Sequence, residues 1–173
     1  MNSNQIQIAY SKEELEKFKE SLYAQGFVLL KTQISQKIKD FCHEKKWQGL
    51  DDTIKYEVLK GSDLFETLNF FHPINSIEFI ISLRESKNDW EEDGIWHDDG
   101  SRPIAFSLSL THPEEIQEGG VLKIRKKNAL PINEIPTPPF GEIIIFLTGV
   151  HGYEHKIHQV KKGRRLIIAG WGS

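Results

Sequence analysis

The chain has 173 residues, the size of one ordinary domain, which is long enough to bury a hydrophobic core. Its net charge of −3 lacks the overall basic character expected of a general nucleic-acid binder. The single cysteine, Cys42, excludes an intrachain disulfide and also cysteine-based zinc or iron–sulfur sites.

Apolar runs such as 143–147 are of strand length, too short to span a bilayer, and the N-terminus shows no signal-peptide pattern. We therefore expect a cytoplasmic protein with no membrane partner.

The first 75 residues are predicted to be mainly helical. Ser11 followed by Glu14 is a capping-box pattern, and it predicts a helix that ends at Gly26. The other expected elements are a strand at 27–30, a helix from Ser35 to about Trp47, and helical turns at 54–59 and 64–71.

From residue 77 the apolar residues follow the two-residue period of strands. In 104–110, Phe106 and Leu108 face one way while Ser107 and Ser109 face the other. The expected strands are 78–83, 104–110, 121–125, 142–147 and 165–171, with a proline-rich loop at 128–139. Helices followed by short strands predict an α+β fold whose strands form a jelly roll.

His97 and Asp99 follow a strand-like segment at 94–96 and form an H-x-D pattern. In a strand, residues two apart share a face, so both side chains could bind one ion while Asp98 points away. The pattern alone is common, and a surface histidine beside two aspartates is its ordinary interpretation.

A second pattern makes the first specific. Residues 155–165 have the form H-x-I-x-x-V-x-x-G-x-R, between the apolar strands 143–146 and 166–171. Together with H-x-D, this order resembles the Fe(II)/2-oxoglutarate-dependent dioxygenases. The Gly119-Gly120 element and a closing strand that ends in Trp171 look most like the prolyl-hydroxylase-like branch.

The resemblance implies roles for individual residues. His97, Asp99 and His155 would be the metal ligands, Arg165 would bind the far carboxylate of 2-oxoglutarate, and Gly163 would serve a hairpin turn between His155 and Arg165. Family members often use a tyrosine as a further 2-oxoglutarate contact on the strand after H-x-D, and here Ser109 is the candidate.

The resemblance also implies fold and chemistry. The expected fold is a double-stranded β-helix, cupin-like, in one domain over 1–173, with 1–75 as helical support and 76–173 as the jelly-roll core. The expected cofactors are Fe(II), 2-oxoglutarate and O2, and ascorbate is a further candidate. The expected reaction hydroxylates an unactivated C–H bond and releases succinate and CO2.

These residue types suit that chemistry on physical grounds. Two neutral imidazoles and one carboxylate leave three positions of an Fe(II) ion open, of which a 2-oxo acid fills two. An arginine offers a rigid fork of donors that pairs with a carboxylate and keeps its charge when buried.

Competing assignments exist for single residues. His158 and Arg164 neighbour the motif but face away from His155 and Arg165 on a strand, and His151 lies in a glycine-flanked segment that favours a surface role. The acidic loop 84–94, which contains Trp90, is either a surface loop or a lid over the metal.

Other functions remain compatible with the same residues. One is a non-catalytic cupin-like module that binds a metal or an organic acid, and another is a zinc hydrolase, which would leave Arg165 unexplained. The prolyl-hydroxylase-like pattern favours a peptidyl residue such as proline in a peptide or protein. A free small metabolite is the alternative substrate, and the sequence carries no indication of oligomeric state.

Overall fold

The structure is a computed structural model that describes residues 4–86, 94–112, 114–115 and 118–173. Four α-helices precede most of the strands: α1 (Lys12–Gln25), α2 (Gln36–His43), α3 (Trp47–Glu57) and α4 (Asp63–Phe71). None of the helices in these ranges combines the length and the apolar composition that crossing a bilayer requires.

The boundaries of α1 follow from its end residues. The Ser11 side chain accepts a hydrogen bond from the Glu14 N–H at 3.1 Å, and the Glu14 side chain accepts one from the Ser11 N–H at 2.7 Å. Gly26 has a φ of +90° and donates its N–H to the Leu22 carbonyl. The predicted capping box and glycine stop are confirmed.

The prediction that the second helix continues to about Trp47 is wrong. The helix ends at His43 because Lys45 adopts a positive φ of 56° and the Lys46 N–H turns back to the Phe41 carbonyl. Trp47 instead begins α3.

The strands make up the second half of the chain and flank α1. They are β1 (Ile6–Gln7), β2 (Phe27–Lys31), β3 (Gln33–Ile34), β4 (Ile77–Glu85), β5 (Ile104–Ser109), β6 (Glu118–Gly119), β7 (Leu122–Lys126), β8 (Asn133–Ile135), β9 (Glu142–Leu147), β10 (Tyr153–Ile157), β11 (Val160–Lys162) and β12 (Arg164–Gly172).

The major sheet has five strands in the order β2-β9-β5-β12-β4, and all its pairs are antiparallel. Both faces of β5 are buried, because one face packs into the hydrophobic core and the other faces a second layer of strands. Core residues such as Phe106 on this sheet and Leu22 on α1 belong to one cluster, so helices and strands share a core.

The second layer consists of the small antiparallel sheets β10-β7-β8 and β11-β6. The two layers together form the predicted double-stranded β-helix. The proline-rich segment 128–139 is not only a loop, because it contributes β8, which pairs with β7. That the whole chain is one domain stays a prediction.

The hairpin expected between His155 and Arg165 is absent from these strands. His155 lies on β10 in the second layer and Arg165 on β12 in the major sheet, so the chain continues through β11 of the second layer and crosses to the major sheet between β11 and β12. Gly163, with a φ of +72°, stands between β11 and β12. Because of this crossing, His155 and Arg165 come from opposite layers of the barrel but line the same cavity.

Candidate metal centre

Three side chains predicted as metal ligands converge in the structure. One donor atom each from His97, Asp99 and His155 lies within 4.8 Å of the other two. His155 Nε2 is 3.4 Å from Asp99 Oδ2, and His97 Nε2 is 3.8 Å from Asp99 Oδ1. Neighbouring ligands of an octahedral metal at ~2.1 Å are about 3 Å apart, so small side-chain adjustments would close this set around one cation.

A short stretch of backbone pairing brings the two histidines together. The His97 N–H donates to the His155 carbonyl at 3.0 Å, and the His155 N–H donates to the His97 carbonyl at 2.8 Å. Directly opposed residues in such a bridge point to the same side. The imidazole ring centroids are accordingly 4.2 Å apart.

Asp99 reaches the histidines through a turn, and the strand-like conformation expected at 94–96 and across the H-x-D pattern occurs only as the single bridge at His97. Asp99 has a φ of +57°, a left-handed conformation that aspartate tolerates better than most residues. The Asp98 carbonyl holds the turn by accepting the Gly149 N–H at 2.7 Å and the Thr148 hydroxyl. The Asp98 side chain points away from the centre, 3.4 Å from Lys127 Nζ.

The donor set fits a divalent transition metal. The Asp99 side chain is only 8% exposed, and its Oδ2 has no hydrogen-bond partner among the described residues, although buried oxygens normally have one. His97 Nδ1 lies 3.1 Å from the Ile95 carbonyl, which fixes the proton there and leaves Nε2 as a lone-pair donor. Two nitrogens and one carboxylate form the donor set of non-haem iron sites with open positions.

Burial shifts the pKa values of His155 and Asp99 in opposite directions. It lowers the pKa of His155 to about 3, with the neighbouring His97 acting in the same direction, so this imidazole is neutral near pH 7. A neutral imidazole is the form that binds metal. Burial raises the pKa of the Asp99 carboxyl, opposed by a hydrogen bond from Trp171 and by the charges of His97 and Arg102.

A cavity of about 320 Å³ extends from these three residues into the space between the layers. Its walls come from the inner faces of β4, β5, β9 and β12 on one side and from β7 and β10 on the other. We call the end at Asp99 and Trp171 the metal end. Arg165, six residues before Trp171 on β12, defines the opposite end, which we call the arginine end.

Arg165 is 1% exposed and its guanidinium is held by hydroxyl groups. Its Nε donates to Thr137 Oγ1 at 3.2 Å and its Nη2 to Ser107 Oγ at 3.5 Å. These contacts aim the side chain along the cavity from the major sheet.

Ser109 does not line this cavity. It is fully buried, with its Oγ 3.4 Å from the Thr111 N–H, whereas Ser107 on the same face of β5 lines the cavity. Ile167 faces Ser109 in register, so the Arg165 side chain passes Ser109 on its way to Ser107. The role of Ser109 as a 2-oxoglutarate contact stays a prediction, and Ser107 has the better position for it.

Sequence reasoning missed two basic residues of the cavity, Arg102 near Asp99 and Arg84. Arg84 is 7% exposed, lines the cavity, and stands opposite Arg165 in the pairing of β4 with β12. The strand was predicted to end at residue 83, which left Arg84 in a loop. Extending the two-residue period of Ile80 and Ser82 by one step would have placed it on the inner face.

The competing residues lie elsewhere. Arg164 pairs with the side chain of Glu115, and the His158 N–H bonds to the Val121 carbonyl just beyond β10. His151 belongs to a short 3₁₀ helix, Gly149–His151, and its ring packs against that of His72. The proposed lid falls largely on 87–93, outside the described residues.

Comparison with known proteins gives a family for this geometry. Residues 79–173 match the model of the 2OG-Fe(II) oxygenase superfamily. A PKHD-type hydroxylase from Prochlorococcus marinus (strain MIT 9301) is 27% identical over 111 residues, which cover 64% of this chain and 47% of the relative. The chain thus matches less than half the length of that curated relative.

Solved structures show the same fold. A prolyl-4-hydroxylase from Pseudomonas putida superposes with a TM-score of 0.64 at 15% identity, covering 98% of this chain and 96% of the other. A prolyl hydroxylase from Trichoplax adhaerens, solved in complex with a hypoxia inducible factor peptide fragment, gives a TM-score of 0.63 at 13% identity, with 95% and 94% covered. Since the matched region spans more than half of the chain and contains the three converging side chains and Arg165, the chain belongs to the 2OG-Fe(II) oxygenase superfamily.

Proposed function

We propose that this protein is an Fe(II)- and 2-oxoglutarate-dependent dioxygenase that hydroxylates an unactivated C–H bond. The observation that carries the proposal is one cavity with a two-histidine, one-carboxylate cluster at one end and a buried arginine at the other. A zinc hydrolase would have no need for the arginine end, and succinate formation separates the proposal from a non-catalytic module that binds a metal or an organic acid.

Each residue of the site would have one role. His97, Asp99 and His155 would hold Fe(II) on one face and leave its other face to ligands. Bound Fe(II) would supply the oxidising chemistry, in which O2 gives one oxygen atom to the substrate and one to the succinate formed as 2-oxoglutarate loses CO2. Arg165 would pair with the far carboxylate, and the hydroxyl contacts of its guanidinium would keep it in place.

The walls between the two ends are largely apolar. Leu122, Phe146, Ile157 and Ile167 line the cavity and reduce its contact with water. A dry cavity strengthens the charge pairing at both ends and protects a reactive metal from side reactions.

The substrate we favour is a peptidyl residue such as proline, with a free small metabolite as the alternative. Support comes from the prolyl hydroxylases among the structural neighbours, one of which was solved with a peptide. The His97 side chain is 38% exposed, so the metal end is open to a bulky partner. We also propose ascorbate as a reductant that restores the iron, and a cytoplasmic location.

Succinate formation tests the activity. Purified protein with Fe(II), 2-oxoglutarate and O2 should release succinate slowly without substrate, and His97→Ala or Asp99→Ala should abolish both this turnover and stoichiometric iron binding. His43→Ala removes an imidazole from α2, outside the cavity, and serves as the matched control. Wild-type turnover in both ligand variants would overturn the proposal.

A comparison of substrates tests the peptide preference. We expect proline-containing peptides, but not free proline, to raise succinate formation and to gain one oxygen atom by mass spectrometry. Stimulation by free small molecules alone would replace the peptide by a metabolite and leave the reaction class intact.

A further inference from the structure

Two arginines occupy the arginine end side by side. Arg84 on β4 and Arg165 on β12 are register partners on adjacent antiparallel strands, so their side chains leave the sheet on the same face. Both line the cavity, and both are at least nine-tenths buried, with exposures of 7% and 1%.

The register also fixes the depth of Arg84. Towards the metal end, Ser82 pairs with Ile167, Ile80 with Ala169, and then Glu78 with Trp171. Arg84 therefore lies at the level of Arg165 and far from Trp171, which lines the metal end together with Asp99. Its place along the strand suits contact with the remote end of a ligand that reaches the metal, and not with the metal itself.

The chemistry of the arginine end favours a carboxylate. Arg84 and Arg165 both line it, whereas Arg102, the third arginine of the cavity, lies at the metal end and pairs with the side chain of Glu78. Among the described residues that line the cavity, Asp99 is the one carboxylate, and it belongs to the metal end. Two adjacent guanidinium forks match the oxygens of one carboxylate through charge-assisted hydrogen bonds.

We propose that Arg84 is a second anchor for the far carboxylate of 2-oxoglutarate, and that it shares this carboxylate with Arg165. This inference rests on the proposed function and deepens it, because it names which residue besides Arg165 selects the dicarboxylic acid. Arg84 thereby takes the position for which the sequence offered only Ser109.

The test is a pair of ligands measured by anaerobic calorimetry on the Fe(II)-loaded protein. 2-Oxoglutarate and 2-oxopentanoate share the metal-binding 2-oxo acid, but 2-oxopentanoate has a methyl group in place of the far carboxylate. Arg84→Met should weaken 2-oxoglutarate about tenfold and leave 2-oxopentanoate unchanged. Equal weakening of both ligands, or no weakening of either, would overturn the inference.

Two further variants keep the test decisive. Arg84→Lys retains a cation and should recover part of the lost 2-oxoglutarate affinity, and it gives an alternative if Arg84→Met does not fold by circular dichroism. Arg102→Met removes the same charge from the cavity, but at the metal end, where Arg102 lies over the Trp171 ring. It should leave the ratio of the two affinities unchanged.

The outcomes separate the inference from the proposed function. If the wild-type protein does not bind 2-oxoglutarate, the proposed function fails. If the wild type binds 2-oxoglutarate, and Arg84→Met and Arg84→Lys bind it as tightly as the wild type does, only the role of Arg84 fails.

Discussion

The two ends of the cavity are built in different ways. At the metal end, His97 and Asp99 come from a segment with one isolated backbone bridge and a left-handed residue, and the His97 side chain is 38% exposed. At the arginine end, Arg84 and Arg165 stand on regular nine-residue strands and are almost fully buried.

This difference matches the roles proposed for the two ends. A metal that accepts a substrate and O2 needs an opening, and irregular backbone at the rim can provide ligands without closing it. A charge pair that holds a carboxylate gains most where water is excluded. The following three predictions probe this contrast.

The turn at the metal end should be the more fragile element. Gly149 has a φ of +49°, and a Cβ there would lie 2.2 Å from the Arg102 carbonyl oxygen and 2.3 Å from that of Gly100. Gly149→Ala should cost about 3 kcal/mol or more in the free energy of unfolding, from left-handed strain and overpacking together. It should also weaken iron binding, because the Gly149 N–H holds the turn that positions Asp99.

Gly152 offers the control for this substitution. Its φ is +73°, but a Cβ there meets nothing within 4 Å. Gly152→Ala should therefore cost only about 1–2 kcal/mol and leave the iron affinity unchanged. Equal effects of the two substitutions in chemical denaturation and metal titration would show that the turn does not position Asp99.

At the arginine end, the expected change is in binding. Arg165→Ala should weaken 2-oxoglutarate by about 2–3 kcal/mol, roughly 30- to 150-fold, because a charge-assisted pair is lost. Calorimetry on the Fe(II)-loaded protein measures this, and iron affinity in the absence of 2-oxoglutarate should remain that of the wild type. Unchanged 2-oxoglutarate affinity would reject the role of Arg165.

The smallest effect concerns the support of Arg165. Thr137→Val keeps the shape of the side chain and removes the oxygen that accepts from Arg165 Nε. The loss of one such hydrogen bond should weaken 2-oxoglutarate by about 1 kcal/mol, roughly fivefold. A loss as large as that of Arg165→Ala would mean that Thr137 does more than orient the guanidinium.

The contrast between the ends also explains which features could be predicted from the sequence. The position of Arg165 on the closing strand could be predicted because a two-residue period and the G-x-R spacing describe a regular strand, whereas its role came from the family resemblance. The turn that brings Asp99 to the two histidines could not be predicted, because it depends on contacts with Thr148 and Gly149, about 50 residues later. The H-x-D pattern identified the residues but not the backbone that joins them.

Register between strands was the other missing information. Nothing in the sequence pairs β4 with β12, so the opposition of Arg84 and Arg165 emerged only from the fold. For the same reason, Ser107 and Ser109 could not be distinguished, since they share a face of β5 and differ only in which residue of β12 stands beside them.

Strand β12 connects the two ends physically. It carries Arg165 near its beginning and, six residues later, Trp171, which lines the metal end of the cavity together with Asp99. A continuous strand flanked on both sides by partners changes length very little, so it would keep a fixed distance between the Arg165 guanidinium and a cation held by Asp99. An acid one carbon shorter or longer would then have to give up contact at one end, and the proposed site would distinguish dicarboxylic acids by their length.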